Sequence, residues 1–271
     1  MKTRARNLNL TVALALVAVV IGVARFVFAA NHNEARVSEV IRDVRVLPGH
    51  GAARAAIVND LIREGTAVRT GTDSRAELTF TDRTLTRLGA NTVFSFGIGA
   101  RAYDLGSGAI LMSAPKENGT IKISTAVANC AVSGFTGIWE THKNTWNKVL
   151  FFEGDGSVTL KKNPNDPREM HSGQMLIFRP DATVLPQPID FSVCAAIGNG
   201  LLITGFKNPL PSMPLLVGEC EKQKSQPGTT NLVDPTSHDV IDQATNAQPE
   251  FPSPPRISPP PTIPPGFKQR P

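Results

Sequence analysis

Residues Glu64 to Phe96 read EGTAVRTGTDSRAELTFTDRTLTRLGANTVFSF, and this stretch decides the fold of the chain. Within it, the apolar Ala76, Leu78 and Phe80 alternate with polar residues such as Glu77. A period of two places the apolar set on one face of a strand and the polar set on the other. Gly, Asp and Asn interrupt the stretch at short intervals, as turns do. The stretch therefore predicts short, half-buried strands joined by tight turns.

The same organisation continues toward residue 178. Short apolar runs recur with turn signals about every 8–12 residues, which is typical of a sandwich, barrel or solenoid. The run Lys148 to Glu153 is nearly all apolar and predicts a strand buried on both faces. Gly106 to Gly108 and Gly154 to Gly156 are predicted to be hairpin turns. We expect an all-β fold, a single compact domain of sandwich-like or β-helix-like form.

One short helix is predicted after the last strand. Residues Pro188 to Ile203 can hold a helix, with Asp190 or Ser192 as its N-terminal cap. Beyond Glu221 the hydrophobic content falls, and the last 23 residues contain ten prolines. Such a segment favours polyproline II and serves as a spacer or as a docking ligand. We expect residues 206–271 to form a low-complexity, disordered, proline-rich tail.

The N-terminus predicts export. Basic residues precede an apolar run from Leu10 to Ala24, which is about 15 residues long. A membrane span needs about 20, so residues 1–30 are predicted to be a signal peptide cleaved after Ala29 or Ala30. An uncleaved membrane anchor is the alternative. Both interpretations place the folded part outside the cytoplasm, in the periplasm, the cell envelope or the medium.

The net charge of +5 comes mainly from this leader. Lys2, Arg4, Arg6 and Arg25 precede the first acidic residue, Glu34, and the rest of the chain has a charge of about +1. A nucleic-acid surface would need basic residues clustered on the folded part. We therefore expect no nucleic-acid partner, and contact with a membrane only through an uncleaved leader.

The chain has three cysteines, Cys130, Cys194 and Cys220. An oxidising compartment allows one disulfide and one free thiol. Cys194 with Cys220 is the favoured pair, because both lie where the strand order ends. Cys130 lies in an apolar run and is expected to be a small core residue.

The sequence offers no constellation for catalysis. Glu140 and His142 share a strand face and are the nearest approach to a metal site, but two ligands do not make one. No nucleophile motif or phosphate-binding loop is found. We expect a protein that is not an enzyme, with no cofactor and no metal.

Four residues are candidates for ligand binding. Arg87 and Arg101 belong to a set of arginines predicted to lie on outward strand positions, where a solvated face or an acidic or glycan partner explains them. Trp139 and Trp146 flank a polar strand end and could stack on a sugar, or else cover the core or an edge.

Several blocks of the sequence resemble FecR-domain proteins. They begin with Val44 to Val46 and continue through Glu64 to Gly71, Ser74 to Leu78, Arg87 to Thr92 and Leu105 to Ala109. The resemblance is strongest between residues 37 and 125. The motif residues that carry it are Gly65, Thr70, Gly71, Ser74, Ala76, Leu78, Gly89, Asn91, Gly106 and Gly108.

This resemblance implies an extracytoplasmic all-β domain, which we expect to cover residues 31–205. The best-known members of the family regulate a cytoplasmic sigma factor. Here only residues 1–9 could lie in the cytoplasm, too few to hold such a partner. The expected function is a stand-alone envelope module for sensing, binding or scaffolding, with a protein or an envelope glycan as partner. A structural assembly component of the envelope is the first alternative, and a regulator in a sigma-factor pathway is the second.

Overall fold

The computed structural model describes residues 34–97, 101–226 and 232–237. The predicted leader, residues 1–30, and the proline-rich segment from residue 238 onward lie outside these ranges. None of the helices in the described ranges combines the length and the apolar character that a membrane span requires.

The described ranges contain fifteen strands, which confirms the all-β prediction. They are β1 (Glu34–Ile41), β2 (Val44–Leu47), β3 (Arg54–Ala55), β4 (Leu61–Arg63), β5 (Ala67–Thr70), β6 (Arg75–Phe80), β7 (Leu85–Leu88), β8 (Val93–Phe96), β9 (Ala102–Ala114), β10 (Thr120–Ser124), β11 (Ala128–His142), β12 (Trp146–Leu160), β13 (Asn163–Met170), β14 (Gln174–Phe178) and β15 (Ile189–Asp190).

Within the described residues, three α-helices follow the main strands: α1 (Val193–Asn199), α2 (Leu201–Thr204) and α3 (Met213–Ser225). A short 3-10 helix, Lys116–Asn118, precedes β10. The Ser192 hydroxyl caps α1 by accepting a hydrogen bond from the Ala195 backbone N–H, as predicted for one of the two candidate caps. We call residues 191–226 the helical cover.

All fifteen strands belong to one hydrogen-bonded sheet. Its main path runs β15-β14-β12-β11-β10-β9-β7-β6-β1-β4, and a branch leaves β9 through β8, β5, β2 and β3. The pairs are antiparallel except for β9 with β10. Strand β9 pairs with β8 through its first half and with β7 through its second half. The sheet therefore divides at β9 and encloses a core between its parts.

Strands β9, β11 and β12 are long, with 13, 15 and 15 residues. The predicted hairpin turns at 106–108 and 154–156 are wrong, because both segments lie inside a strand that bends and continues. At Gly154, φ is +92°, and a Cβ there would collide with the carbonyl oxygen of Gly134. The β11–β12 register also shifts between Ser133 and Thr136. Bulges and hairpins both use glycine, so the sequence signal did not separate them.

Two apolar clusters cover the two faces of the sheet. The larger lies inside the sheet and contains Ala76, Leu78 and Phe80, the alternating set of the opening stretch. The smaller lies between the outer face and the helical cover, and it includes Leu111 and Phe152 from the sheet. Strands in the middle are therefore buried on both faces.

The folded unit continues past residue 205, where the sequence placed the end of the domain. Helix α3 buries Leu216 and Cys220 in the apolar cluster between the helical cover and the sheet. Farther on, the Ser192 backbone N–H donates to the Val233 carbonyl at 2.8 Å. The sequence predicts a tail from residue 206 onward. The apolar residues of α3 follow only a weak helical pattern, so contact with the sheet is what shows which side of the helix is buried.

Candidate functional site

A cavity of about 420 Å³ lies between the outer face of β11 and β12 and the helical cover. The strands form its floor, α1 and α2 form one wall, and residues 235–236 form another. The lining residues are Ala109, Ile138, Glu140, His142, Trp146, Lys148, Leu150, Phe152, Ala196, Asn199, Gly200, Leu201, Leu202, Pro235 and Thr236.

A charged cluster stands at the polar end of this cavity. Glu140 and Lys148 are direct cross-strand partners on β11 and β12, and their side chains form an ion pair with 3.3 Å between Nζ and Oε1. Lys148 also donates to the Pro235 carbonyl at 2.9 Å. The lysine side chain is buried. The pair thus joins the sheet to the segment that follows the helical cover.

The next cross-strand pair places two rings beside the charges. His142 faces Trp146, with 4.0 Å between the ring centroids. The Lys148 ammonium lies 5.4 Å from the centroid of the Trp146 ring, within the range of a cation–π contact. The His142 Nε2 is 3.9 Å from Glu140 Oε2. Register alone brings these four side chains together, since i and i+2 share a face.

Opposing effects act on the Glu140 carboxyl. Burial raises its pKa, while the neighbouring His142 and Lys148 lower it through hydrogen bonding and charge. The lowering effects prevail, and the pKa lies below the ordinary value for glutamate. Glu140 is therefore ionised at neutral pH, and the pair with Lys148 is a true ion pair.

The arrangement is suited to binding. Apolar side chains cover most of the cavity, and a few polar groups converge at one end, which is the usual composition of a ligand pocket. Within residues 34–97, 101–226 and 232–237, no group of three or more His, Cys, Asp or Glu side chains is placed to hold a metal ion.

Comparison with known families identifies the strand-rich part. Residues 66–155 match the family model described as FecR protein. Residues 66–155 form a FecR domain. No curated protein matches the sequence.

Two crystal structures of a provisionally assigned anti-sigma factor from Parabacteroides distasonis ATCC 8503 are similar to part of the chain. The first, at 1.65 Å resolution, has 15% identity and a TM-score of 0.42, and the match covers 49% of this chain and 65% of the other. The second, at 2.50 Å, has 14% identity and a TM-score of 0.41, and the match covers 49% and 64%. In both cases less than two thirds of the neighbour is covered.

The cavity spans the end of the FecR match and the chain beyond it. Glu140, His142 and Lys148 lie inside the matched residues, whereas Asn199, Leu201 and Pro235 lie outside them. The site is thus built by the FecR sheet together with the helical cover and the short segment after it.

Several FecR motif residues connect neighbouring turns through hydrogen bonds. Thr70 is central, because its hydroxyl donates to the Gly89 carbonyl at 2.5 Å and accepts from the Thr92 N–H at 2.9 Å. Ser74 is buried and accepts from the Asp43 N–H at 3.1 Å. The other motif residues lie in turns between strands, in the core of β6 or in strand β9: Gly65, Gly71, Ala76, Leu78, Asn91, Gly106 and Gly108.

The prediction of a solvated arginine face is wrong for Arg87. Its side chain is fully buried on the outer sheet face, beneath the helical cover. Arg101 is also largely buried, with its guanidinium 2.8 Å from the Asp82 carboxylate. Both arginines hold the fold together, and neither lines the cavity.

The two tryptophans have different positions. Trp139 is buried in the inner core, so the prediction that it could stack on a sugar is wrong. Trp146 lines the cavity, although His142 lies against its ring. Sequence reasoning missed Lys148, yet a lysine at the start of a run buried on both faces was a usable signal.

The structure joins Cys194 to Cys220 in a disulfide, the pair favoured by the sequence. The bond connects α1 to α3 within the helical cover. Cys130 is a free thiol buried in the inner core, and burial raises its pKa.

Proposed function

We propose that this chain is an extracytoplasmic, non-enzymatic FecR-domain protein that binds a component of the cell envelope beneath its helical cover. The observation that carries the proposal is the cavity where the FecR sheet meets the cover. It presents an apolar surface with one ion pair at its end. The partner is a protein or an envelope glycan with a group small enough to enter.

The disulfide supports the extracytoplasmic location. Such bonds persist in oxidising compartments and are rare in the cytoplasm. Cys194–Cys220 ties together two helices that contribute to the wall of the cavity or support it. The apolar leader and the basic residues before it are consistent with export.

The contacts within the cluster support binding without catalysis. Lys148 is engaged with the Pro235 carbonyl and with Glu140, and His142 is engaged with the Trp146 ring. These groups offer a fixed donor and acceptor to a ligand.

Crosslinking in intact cells tests the binding role. A photoreactive amino acid at Leu201, which is exposed at the cavity mouth, should capture an envelope component. The same amino acid at Val184, which is similarly exposed but does not line the cavity, is the matched control. Capture at both positions alike, or at neither, would contradict the proposal.

Thiol alkylation in intact cells tests the location. Cys194 and Cys220 should resist alkylation until a reductant is added, and Cys130 should react only after unfolding. Alkylation of all three cysteines on unfolding without a reductant would show a reduced, cytoplasmic protein.

Assembly with a second copy of this chain is a second candidate, favoured by one surface. Ile57, Val58 and Leu61 expose apolar side chains beside β4, the strand at the end of the sheet path. An unpaired strand edge can add a strand from an identical chain around a two-fold axis. A concentration-dependent size in solution that Leu61→Lys abolishes would support assembly, and an unchanged size would exclude this edge.

A further inference from the structure

The cavity combines a large apolar surface with a single point of polarity. Ile138, Leu150, Phe152 and Leu202 supply aliphatic and aromatic walls, and Leu201 borders the opening. At about 420 Å³, the space falls within the range of about 300–1,000 Å³ that is usual for small-ligand sites. A ligand that fills it needs an apolar body.

The polar end is neutral as a unit. Glu140 and Lys148 carry opposite charges 3.3 Å apart, so the pair has no net charge with which to balance the charge of a ligand. A ligand anion would approach the Glu140 carboxylate as well as the ammonium, and a ligand cation would approach both groups likewise. A net charge on the ligand therefore loses its own hydration without a matching gain.

An uncharged polar group meets no such cost. The Glu140 carboxylate has more lone pairs than its contacts with Lys148 and His142 use, and an ammonium has three protons of which the two named acceptors take two. A hydroxyl or a primary amide can donate to the carboxylate and accept from the ammonium at once. Asn199 and Thr236 add polar groups to the lining.

We propose that the cavity selects an uncharged amphipathic group, a hydroxyl or carboxamide on an apolar body, with the head bridging Glu140 and Lys148. This inference deepens the proposed function, on which it rests, by naming the chemistry of the component that enters the cavity.

A matched ligand series tests the selectivity on the purified full-length chain. Phenylbutanol, phenylbutanamide, phenylbutanoate and phenylbutylamine share one apolar body and differ only in the head group. Saturation-transfer nuclear magnetic resonance detects binding, and Trp fluorescence gives the affinities. We expect the alcohol and the amide to bind at least about tenfold more tightly than the anion and the amine. Equal affinity across the series, or no binding by any member, would overturn the proposal.

Glu140→Gln supplies the decisive variant because it keeps the shape and removes one charge. The Lys148 charge is then unbalanced, so the preference should reverse toward phenylbutanoate by about tenfold. Glu219→Gln is the matched control, since Glu219 also pairs with a lysine but lies outside the cavity lining. It should leave the order of affinities unchanged. An unchanged order in Glu140→Gln would show that the ion pair does not select the ligand.

Lys148→Met gives the opposite test and leaves Glu140 as the unbalanced charge. It should shift the preference toward phenylbutylamine, and a thermal melt confirms that the variant is folded. Failure of the whole series leaves the crosslinking at Leu201 and the thiol test intact, so the two proposals fail separately.

Discussion

Arg87 connects the FecR sheet to the helical cover. Its Nε lies 2.9 Å from Glu77 Oε2, and its other nitrogens donate to the carbonyls of Leu202, Ile203 and Asn208. The guanidinium also lies 4.4 Å from the centroid of the Phe206 ring. A buried guanidinium is tolerated only when its donors are satisfied. The cover supplies the backbone oxygens that make this burial stable.

Arg87→Met should destabilise the protein by roughly 3–5 kcal/mol, because it leaves the buried Glu77 carboxylate without its cation. Urea unfolding followed by circular dichroism measures the change. Arg83→Met is the control, since Arg83 pairs with Glu117 on the surface and should contribute at most about 1 kcal/mol. Adding Glu77→Leu to Arg87→Met should restore part of the loss. An effect of Arg87→Met no larger than that of the control would contradict this account.

Tyr103 allows a clean titration because it is the only tyrosine in the chain. Burial, followed by the negative charge of Asp82, raises its pKa to about 12. Ultraviolet absorbance should show phenolate formation with a midpoint at a pH of about 12 in the folded protein and of about 10 in denaturant. Since the folded-state pKa of Tyr103 is raised, the protonated phenol contributes to the stability of the folded protein. This contribution is complete below the unfolded-state pKa and is lost as pH rises through the folded-state pKa. Identical folded and unfolded midpoints would be inconsistent with a buried ring.

At the scale of elements, the bend in β12 depends on Gly154. Alanine there would meet both a left-handed φ and the carbonyl oxygen of Gly134. Gly154→Ala should cost about 1–3 kcal/mol, as measured by thermal unfolding. Gly218→Ala is the contrasting control, because Gly218 is an exposed residue of α3 with open space around it. That change should stabilise the protein by about 0.5–1 kcal/mol, and two effects of the same sign would refute the argument.

The helical cover depends on its disulfide. Cys194 and Cys220 are 26 residues apart. In the chain-entropy model, breaking a disulfide that closes a loop of this length lowers the free energy of unfolding by roughly 3 kcal/mol. A Cys194→Ser, Cys220→Ser double variant should lose about that much stability in urea. Reductant should lower the stability of the wild type and leave the double variant unchanged. If reductant affects both alike, the effect does not come from this bond.

The prediction of elements from the sequence succeeded where local signals are unambiguous. The strand Lys148 to Glu153 and the cap at Ser192 each follow from the types of neighbouring residues. The sequence did not predict helix α3, because its pattern of apolar residues is weak. Only contact with the sheet shows which side of the helix is buried. The segments Gly106 to Gly108 and Gly154 to Gly156 lie inside strands, although the sequence predicts hairpin turns there, because local sequence does not distinguish a bulge from a chain reversal.

At the scale of the whole molecule, both faces of the central strands are covered. The inner face encloses the larger core, and the outer face carries the helical cover, whose residues lie beyond the FecR match. This second layer explains why Glu77 is buried although apolar and polar residues alternate along β6, and why Arg87 is buried beside it. It also creates the cavity, since neither the sheet nor the cover encloses that space alone.

The sequence by itself determined the all-β class, the FecR relationship, the inner core and the favoured cysteine pair. Those features follow from periodicity, turn residues and family motifs, which are properties of neighbouring positions. Only the tertiary structure decided that Arg87 and Trp139 are buried and that Glu140, His142, Trp146 and Lys148 meet at one cavity. The reason is physical: burial and proximity depend on strand register and on a cover that is distant in the chain, and a local sequence pattern determines neither.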